Sequence, residues 1–445
     1  MRKDKDMTVG NPFKLIGTFS FSLIVGNLFQ QLYTFVDTII IGKKIGTLGL
    51  AAVGGTEWLI FLANGVVIGL VQGFCILLGN SFGEGNEQEF DVYYVRAKKI
   101  CFVLAIVLTI FFLFASGPIL RLLGTKDEVY AMAQKYINII FLGIPFLVFY
   151  QLFSGALRSR GNSKIPLLAM TVSSLCNIVL DILFVNVLEF GIAGAALGTI
   201  ASECVVMFIC GYYFYQEKQK VNGGITAPNE KAITLKLIQM GIPMALQSVI
   251  TTIGGLIVVN RINQYDITFL AGYTAAIKLY GLLEIAASSF GLAVVAYVAQ
   301  NYGAGKMCRI KKGVRASLFM GTAVAVVCSC VMVLGGRDIL RLFVEVSDTT
   351  EKVLAYGCRF LRILAVFFLF LYILYILRAA LQGMNNTVVP MLSSFAQLIM
   401  RLLCAIVLTR LIGSDGIFWG EVSAWILADI ILLVAYEQQT RAVSK

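Results

Sequence analysis

The sequence predicts an all-α integral membrane protein: twelve transmembrane helices in two six-helix bundles related by pseudo-two-fold symmetry about the membrane normal. Three observations carry that reading. Apolar residues make up 58% of the 445-residue chain and charged residues only 14%, against about 25% charged in ordinary globular domains. Apolar runs of about 20 residues, the length that crosses a bilayer as helix, recur from end to end. Blocks of the first half also return, in order, in the second.

The spans read as 15–41, 50–79, 97–116, 130–156, 165–185, 192–215, 234–259, 268–297, 313–334, 351–378, 388–412 and 417–436. The polar start MRKDKDMTVGNPFK leads into a segment long enough to span, so no cleavable signal is expected. With the N-terminus inside, and charges at span ends counted with the adjoining loop, the inner segments hold 22 Lys and Arg, the outer ones 10 and the spans 4. This is the bias of a plasma-membrane protein with both termini cytoplasmic. It also explains the net charge of +11 without nucleic acid. Lys43 and Lys44 are the exception, since this topology puts them outside.

The repeat supplies the domain organisation. NSFGEG (80–85) lies on QNYGAG (300–305) at an offset of 220, and ILRLL (119–123) on ILRLF (339–343) at the same offset. GALRSRGNSKIP (155–166) lies on AALQGMNNTVVP (379–390) at an offset of 224. Three collinear matches make the chain an N-terminal lobe over 1–215, a polar cytoplasmic linker over 216–233 and a C-terminal lobe over 234–445. An even number of spans per half gives parallel repeats, a build that in transporters holds substrate between the halves. The FGEG and YGAG turns precede no Lys-Ser/Thr and follow no strand. They read as helix–helix turns in which glycine supplies a left-handed helix end, not as phosphate loops.

Chemistry is constrained by what is missing. There is no histidine, so proton traffic must use carboxylates. The ten cysteines sit mostly inside apolar runs, and the closest pair, Cys328 and Cys330, has neither zinc nor dithiol spacing. No nucleophile–base pair or metal-ligand motif appears, which argues against a membrane enzyme and against any cofactor.

Polar side chains inside the spans are therefore informative, because an ionisable group at membrane depth costs several kcal/mol unless compensated. Asp37 lies about 7 Å below the outer end of the first span, at 1.5 Å per residue. Asn177 and Asp181 stand one helical turn apart on one face of the fifth, and Thr199 is roughly 10 Å down the sixth. Two carboxylates, an amide and a hydroxyl form an all-oxygen set suited to a hard cation such as Na+. Without a cation two close carboxylates cannot both stay ionised, so a proton is the alternative occupant. The repeat is an internal control. At the 224 offset Asn177 maps to Arg401 and Asp181 to Ala405, while Asp37 falls near Asn260. The acid site belongs to the first half alone. Glu284, near the midplane of span 8, is a candidate substrate or proton residue together with Glu57 and Lys278, or a partner for Lys278 or Arg401. Glu57 points to an outer vestibule. Arg359 and Arg362 call for pairing or snorkelling. Aromatic residues, at 12%, include some expected to line a cavity for flat cationic molecules.

The run QQLYTFVDTIIIGKKIGTLGLAAVG, the NSFGEG/QNYGAG pair, and ALRSRGNSKIPLLAMTVSSLCNIVLD followed by GIAGAALGTIASE resemble the multidrug and toxic compound extrusion (MATE) transporters over about residues 12–436. The resemblance implies two bundles around a central cleft, a monomeric exporter of amphipathic organic cations, and exchange for inward Na+ or H+. It implies a cation site of an Asp on helix 1, an Asn and an Asp on helix 5 and a Thr on helix 6, positions filled by Asp37, Asn177, Asp181 and Thr199. One departure is Ser22, where relatives commonly carry a proline, so a proline kink in helix 1 has no counterpart here. A second reading is a lipid-linked saccharide flippase or polysaccharide exporter of a related fold. Its anionic cargo would call for the cations Lys278, Arg359, Arg362 and Arg401, all in the second half.

Overall fold

The computed structural model describes residues 6–218, 229–343 and 348–442. Most of the expected linker over 216–233 therefore lies outside the described residues. Helices account for nearly all of the described chain, and no strand occurs among the described residues. Helices α1 (Pro12–Lys44), α2 (Thr47–Glu84), α3 (Glu87–Leu122), α4 (Asp127–Leu142), α5 (Ile144–Ser159), α6 (Lys164–Asp181) and α7 (Ile192–Lys218) belong to the first half. The second half holds α8 (Glu230–Ile262), α9 (Ile267–Gly303), α10 (Met307–Cys330), α11 (Gly336–Arg341), α12 (Thr350–Gly383), α13 (Val388–Leu403), α14 (Thr409–Ile412) and α15 (Asp415–Ala442).

Eleven of the resulting segments are long and apolar enough to cross a membrane alone. The twelfth span is α4 and α5 together, bent by 42°. The bend falls at Gly143-Ile144-Pro145. Pro145, in the first turn of α5, has no N–H to continue the ladder and disfavours helix in the residue before it. The fourth span, expected as one stretch over 130–156, is thus broken in its middle. Helix α1, with Ser22 in place of proline, runs without interruption from Pro12 to Lys44.

The repeat is visible in the backbone. Glycines with left-handed φ close matching turns: Gly85 (φ 82°) and Gly305 (φ 68°), then Gly191 (φ 60°) and Gly413 (φ 70°). Gly161 (φ 77°) is matched by Asn385 (φ 64°), a residue type that tolerates this conformation better than most. Wide π-helical turns also recur, at Ile182–Val187 after α6 and Cys404–Leu408 after α13.

By packing, the described chain forms two compact units, one from Ser22–Ser248 and one from Met7–Phe21 with the residues from Val249 onward. In the first unit, α2 and the start of α8 touch backbone to backbone. A Cβ on Gly69 would lie 2.6 Å from Ala245 Cα, and one on Gly73 2.6 Å from Gly241 Cα. Small residues allow this approach where lipid offers no hydrophobic drive between helices. The end of this unit that carries the α2–α3 turn is stapled by Arg160. Its guanidinium reaches Glu87 at 2.8 Å and lies 4.3 Å from the Phe90 ring centroid. The second unit packs around buried Trp425, Phe360, Phe368 and Phe418. There Met7 N–H donates to Gln300 Oε1 at 2.8 Å, and Asn301 Nδ2 donates to Met7 O at 3.1 Å, tying the entry to α1 onto the end of α9.

Candidate functional site

The first unit brings the two predicted acids together. Asp37 on α1 is 8% exposed and Asp181, the last residue of α6, is fully buried. Their carboxyl groups face each other closely enough for one to hydrogen-bond the other once a proton is present. Asp37 Oδ1 and both oxygens of Asp181 have no other hydrogen-bond partner among the described residues. Asn177, one turn before Asp181, is also fully buried with neither amide atom partnered. No basic side chain pairs with these acids among the described residues.

Local structure explains the arrangement. Asp181 stands where α6 widens into the π turn, a feature frequent at functional sites. Helix α7 comes against it through Gly198, where a Cβ would lie 2.2 Å from Asp181 Oδ1. Thr199 is the next residue of α7. Its hydroxyl donates to Ala195 O at 3.1 Å, which leaves its oxygen lone pairs as acceptors. Asp37, Asn177 and Asp181 thus present orphaned oxygens at one buried place, with Thr199 on the neighbouring turn. A hard cation or a proton would satisfy such a set, since an unpaired buried charge is costly.

Glu203 was missing from the sequence reading. It lies one turn beyond Thr199 on α7, half-buried, with no hydrogen bond or ion pair among the described residues. A Cβ on Gly143, at the break of the fourth span, would sit 3.4 Å from Glu203 Oε2. Tyr33 feels the charge of both Asp37 and Glu203, so its phenol is within Coulomb range of both acidic centres. The available signal was its depth, about 16 Å into the sixth span at 1.5 Å per residue. Glu57 is exposed, yet Tyr136 feels it together with Asp37 and Asp181. At the outer edge Lys44 ion-pairs with Glu189 at 2.9 Å. That contact accommodates one cation of the pair that departed from the inner-loop bias, and it holds the Glu189 carboxyl below its ordinary range.

The second unit is wired differently. Glu284 accepts a hydrogen bond from Tyr375 Oη at 2.8 Å rather than pairing with Lys278, which is exposed. Arg401, the counterpart of Asn177, pairs with Glu421 at 2.7 Å. Arg359 pairs with Asp415. At the Asn177 position, where the first half has an open amide, the second has a closed ion pair. Asp429, 6% exposed, has both oxygens unpartnered among the described residues, with Arg378 within Coulomb range. It too escaped the sequence reading, although it stands in the middle of the last span. Among the described residues no group of three Cys, Asp or Glu side chains is disposed to hold a metal ion.

Twelve spans in two repeated halves, with paired acids enclosed inside one half, fit the architecture of a polytopic membrane transporter. The family model for MatE matches residues 22–183 and 243–407, and the chain belongs to that family. It is therefore a multi-pass membrane transporter rather than an enzyme. It is 26% identical over 316 residues to the probable multidrug resistance protein YoeA of Bacillus subtilis, covering 69% of this chain and 68% of that one. It is also 26% identical to the FAD transporter of Shewanella oneidensis, over 62% of each chain. Its fold matches a MOP-superfamily transporter from Pyrococcus furiosus with a TM-score of 0.92, at 22% identity and over 99% of this chain and 98% of that one.

Proposed function

We propose that the chain is a plasma-membrane antiporter that exports amphipathic, cationic organic compounds in exchange for inward Na+ or H+ by alternating access. The observation that carries the reading is the pair Asp37 and Asp181, enclosed without a cationic partner and flanked by the orphaned Asn177 amide. A group of this kind holds charge only when a cation or proton arrives. Occupancy of the site can then shift the conformational equilibrium by the difference in its affinity for the two states. Substrate and ion affect each other's affinity by the same factor. The half-buried Glu203 and its neighbouring tyrosines, including Tyr33, give the same unit a carboxylate and aromatic faces suited to an organic ammonium. The drug-resistance names carried by relatives support this cargo class.

The test is efflux from proteoliposomes under Na+ and H+ gradients imposed separately, for the unmodified chain and for D37N. Gradient-driven ethidium efflux that D37N abolishes is the expected result. Efflux indifferent to both gradients would overturn the proposal.

A second reading, export of a large anionic cargo such as a lipid-linked saccharide, is favoured by the FAD transporter among the relatives. It needs free cations in the second half. Arg401 and Arg359 are already paired, which leaves exposed Lys278 and Arg362 to serve it.

A further inference from the structure

Outside the acid site, the first unit carries a side cavity of about 600 Å³ between α3, α5 and α7, walled by Tyr94, Lys98, Lys99, Phe102, Phe149 and Tyr215. Phe102 and Val103 are each 59% exposed on the apolar run of α3, so the cavity opens toward lipid. Lys98 and Lys99 stand one turn earlier on α3, about 6 Å closer to the basic loops at 1.5 Å per residue. The cavity is thus basic at its loop end and apolar along its membrane end.

The rim is built rather than incidental. Lys98 Nζ donates to Tyr215 Oη at 2.8 Å and lies 5.4 Å from that ring's centroid. Tyr94 Oη stands 3.3 Å from the same phenol. An ammonium carries three N–H donors, so Lys98 keeps two for a ligand. Glu230 is held by Arg96 at 2.7 Å, leaving Lys99 a looser contact at 3.7 Å. Arg96, Lys98 and Lys99 against Glu230 and the buried Asp91 near Tyr94 leave this rim with an excess of positive charge.

We propose that this groove binds one anionic diacyl phospholipid of the leaflet on the basic-loop side. Its phosphate sits on Lys98 and Lys99, and its acyl chains lie along Phe102, Val103 and Phe149. A soluble anion gains nothing from the apolar wall, and a zwitterionic lipid gains little from two lysines. Basic pockets between transmembrane helices at this level are recognised by their match to anionic head groups.

The test uses the full chain, delipidated in neutral detergent, with phosphatidylglycerol, phosphatidylcholine and inorganic phosphate as probes. Retained lipid is counted by native mass spectrometry and compared with the thermal midpoint. Phosphatidylglycerol is expected to be retained in preference to phosphatidylcholine. K98Q/K99Q should lower that preference roughly five-fold per lysine, about 25-fold in all, while K311Q/K312Q, an equal loss of charge elsewhere, leaves it intact. Equal retention of the two lipids, full preference in K98Q/K99Q, or displacement of phosphatidylglycerol by inorganic phosphate would each overturn the proposal. If K98Q/K99Q does not fold, a photoreactive phosphatidylglycerol on the unmodified chain decides. Labelling of α3, α5 or α7 near these residues supports the site, and labelling only elsewhere rejects it.

Discussion

Gly198 offers a way to disturb the acid pair without removing either acid. In Gly198→Ala the new Cβ would lie 2.2 Å from Asp181 Oδ1 and 3.3 Å from its Cγ, whereas ordinary contact begins at 3.4 Å. The carboxylate oxygen must therefore retreat by about 1.2 Å, the difference between those distances. The nearest backbone atom, Asp181 N, is 3.5 Å away, so the helices need not separate. The stability cost should stay at the low end of overpacking, about 1 kcal/mol. The ion is affected more. For a hard cation about 2.4 Å from oxygen and an effective dielectric of about 20, lengthening one contact to ~3.6 Å loses about 2.3 kcal/mol. That is a roughly 50-fold drop in ion affinity, an upper value because the ion can follow the oxygen. The assay is half-saturation of efflux by Na+ or H+ in proteoliposomes, alongside the thermal midpoint. A variant with unchanged ion dependence would refute the claim that Asp181 ligates the coupling ion. A variant that unfolds would instead show that Gly198 is needed for helix packing.

Four other outcomes are expected. Asp37→Asn should keep the fold and lose gradient-driven efflux, and Asp181→Asn should behave alike if the two act as one centre. Glu203→Gln removes an unpartnered interior carboxylate, so the thermal midpoint should rise, by the equivalent of about 1 kcal/mol, while efflux of permanently charged cations weakens; a fall in both would argue for a structural role. Arg401→Ala strands Glu421, whose side chain is 13% exposed, and should cost about 3–5 kcal/mol, most of it recovered by replacing both residues with apolar ones. Gly73→Ala drives a Cβ into the backbone of α8 and should destabilise, whereas Gly55→Ala, with nothing within 4 Å of its Cβ, should be neutral or mildly stabilising because alanine is the better helix former. Unfolding midpoints in detergent check the last two.

Much of this architecture could be read from residue order. The left-handed turn glycines Gly85 and Gly305, and the spans they end, follow from local chain chemistry. Asp37, Asn177 and Asp181 were legible because a carboxylate or amide in an apolar helix needs an explanation wherever it occurs. Glu203 and Asp429 met the same criterion and were passed over, although Glu203 shares its span with Thr199. The break at Gly143 was also readable, since Pro145 cannot sit within a straight helix without consequence.

Sequence alone determined the class of molecule, the number of spans and the duplication. These depend on composition, period and repetition, which are properties of the chain by itself. Tertiary structure decided which polar groups meet. It placed Asp37 against Asp181, gave Glu284 to Tyr375, and gave Arg401 to Glu421. It set α7 against Asp181 through a single missing Cβ at Gly198, and it assembled a basic-to-apolar groove from three helices distant in sequence. Pairings of this kind depend on helix rotation and approach to within an ångström, which no local pattern specifies.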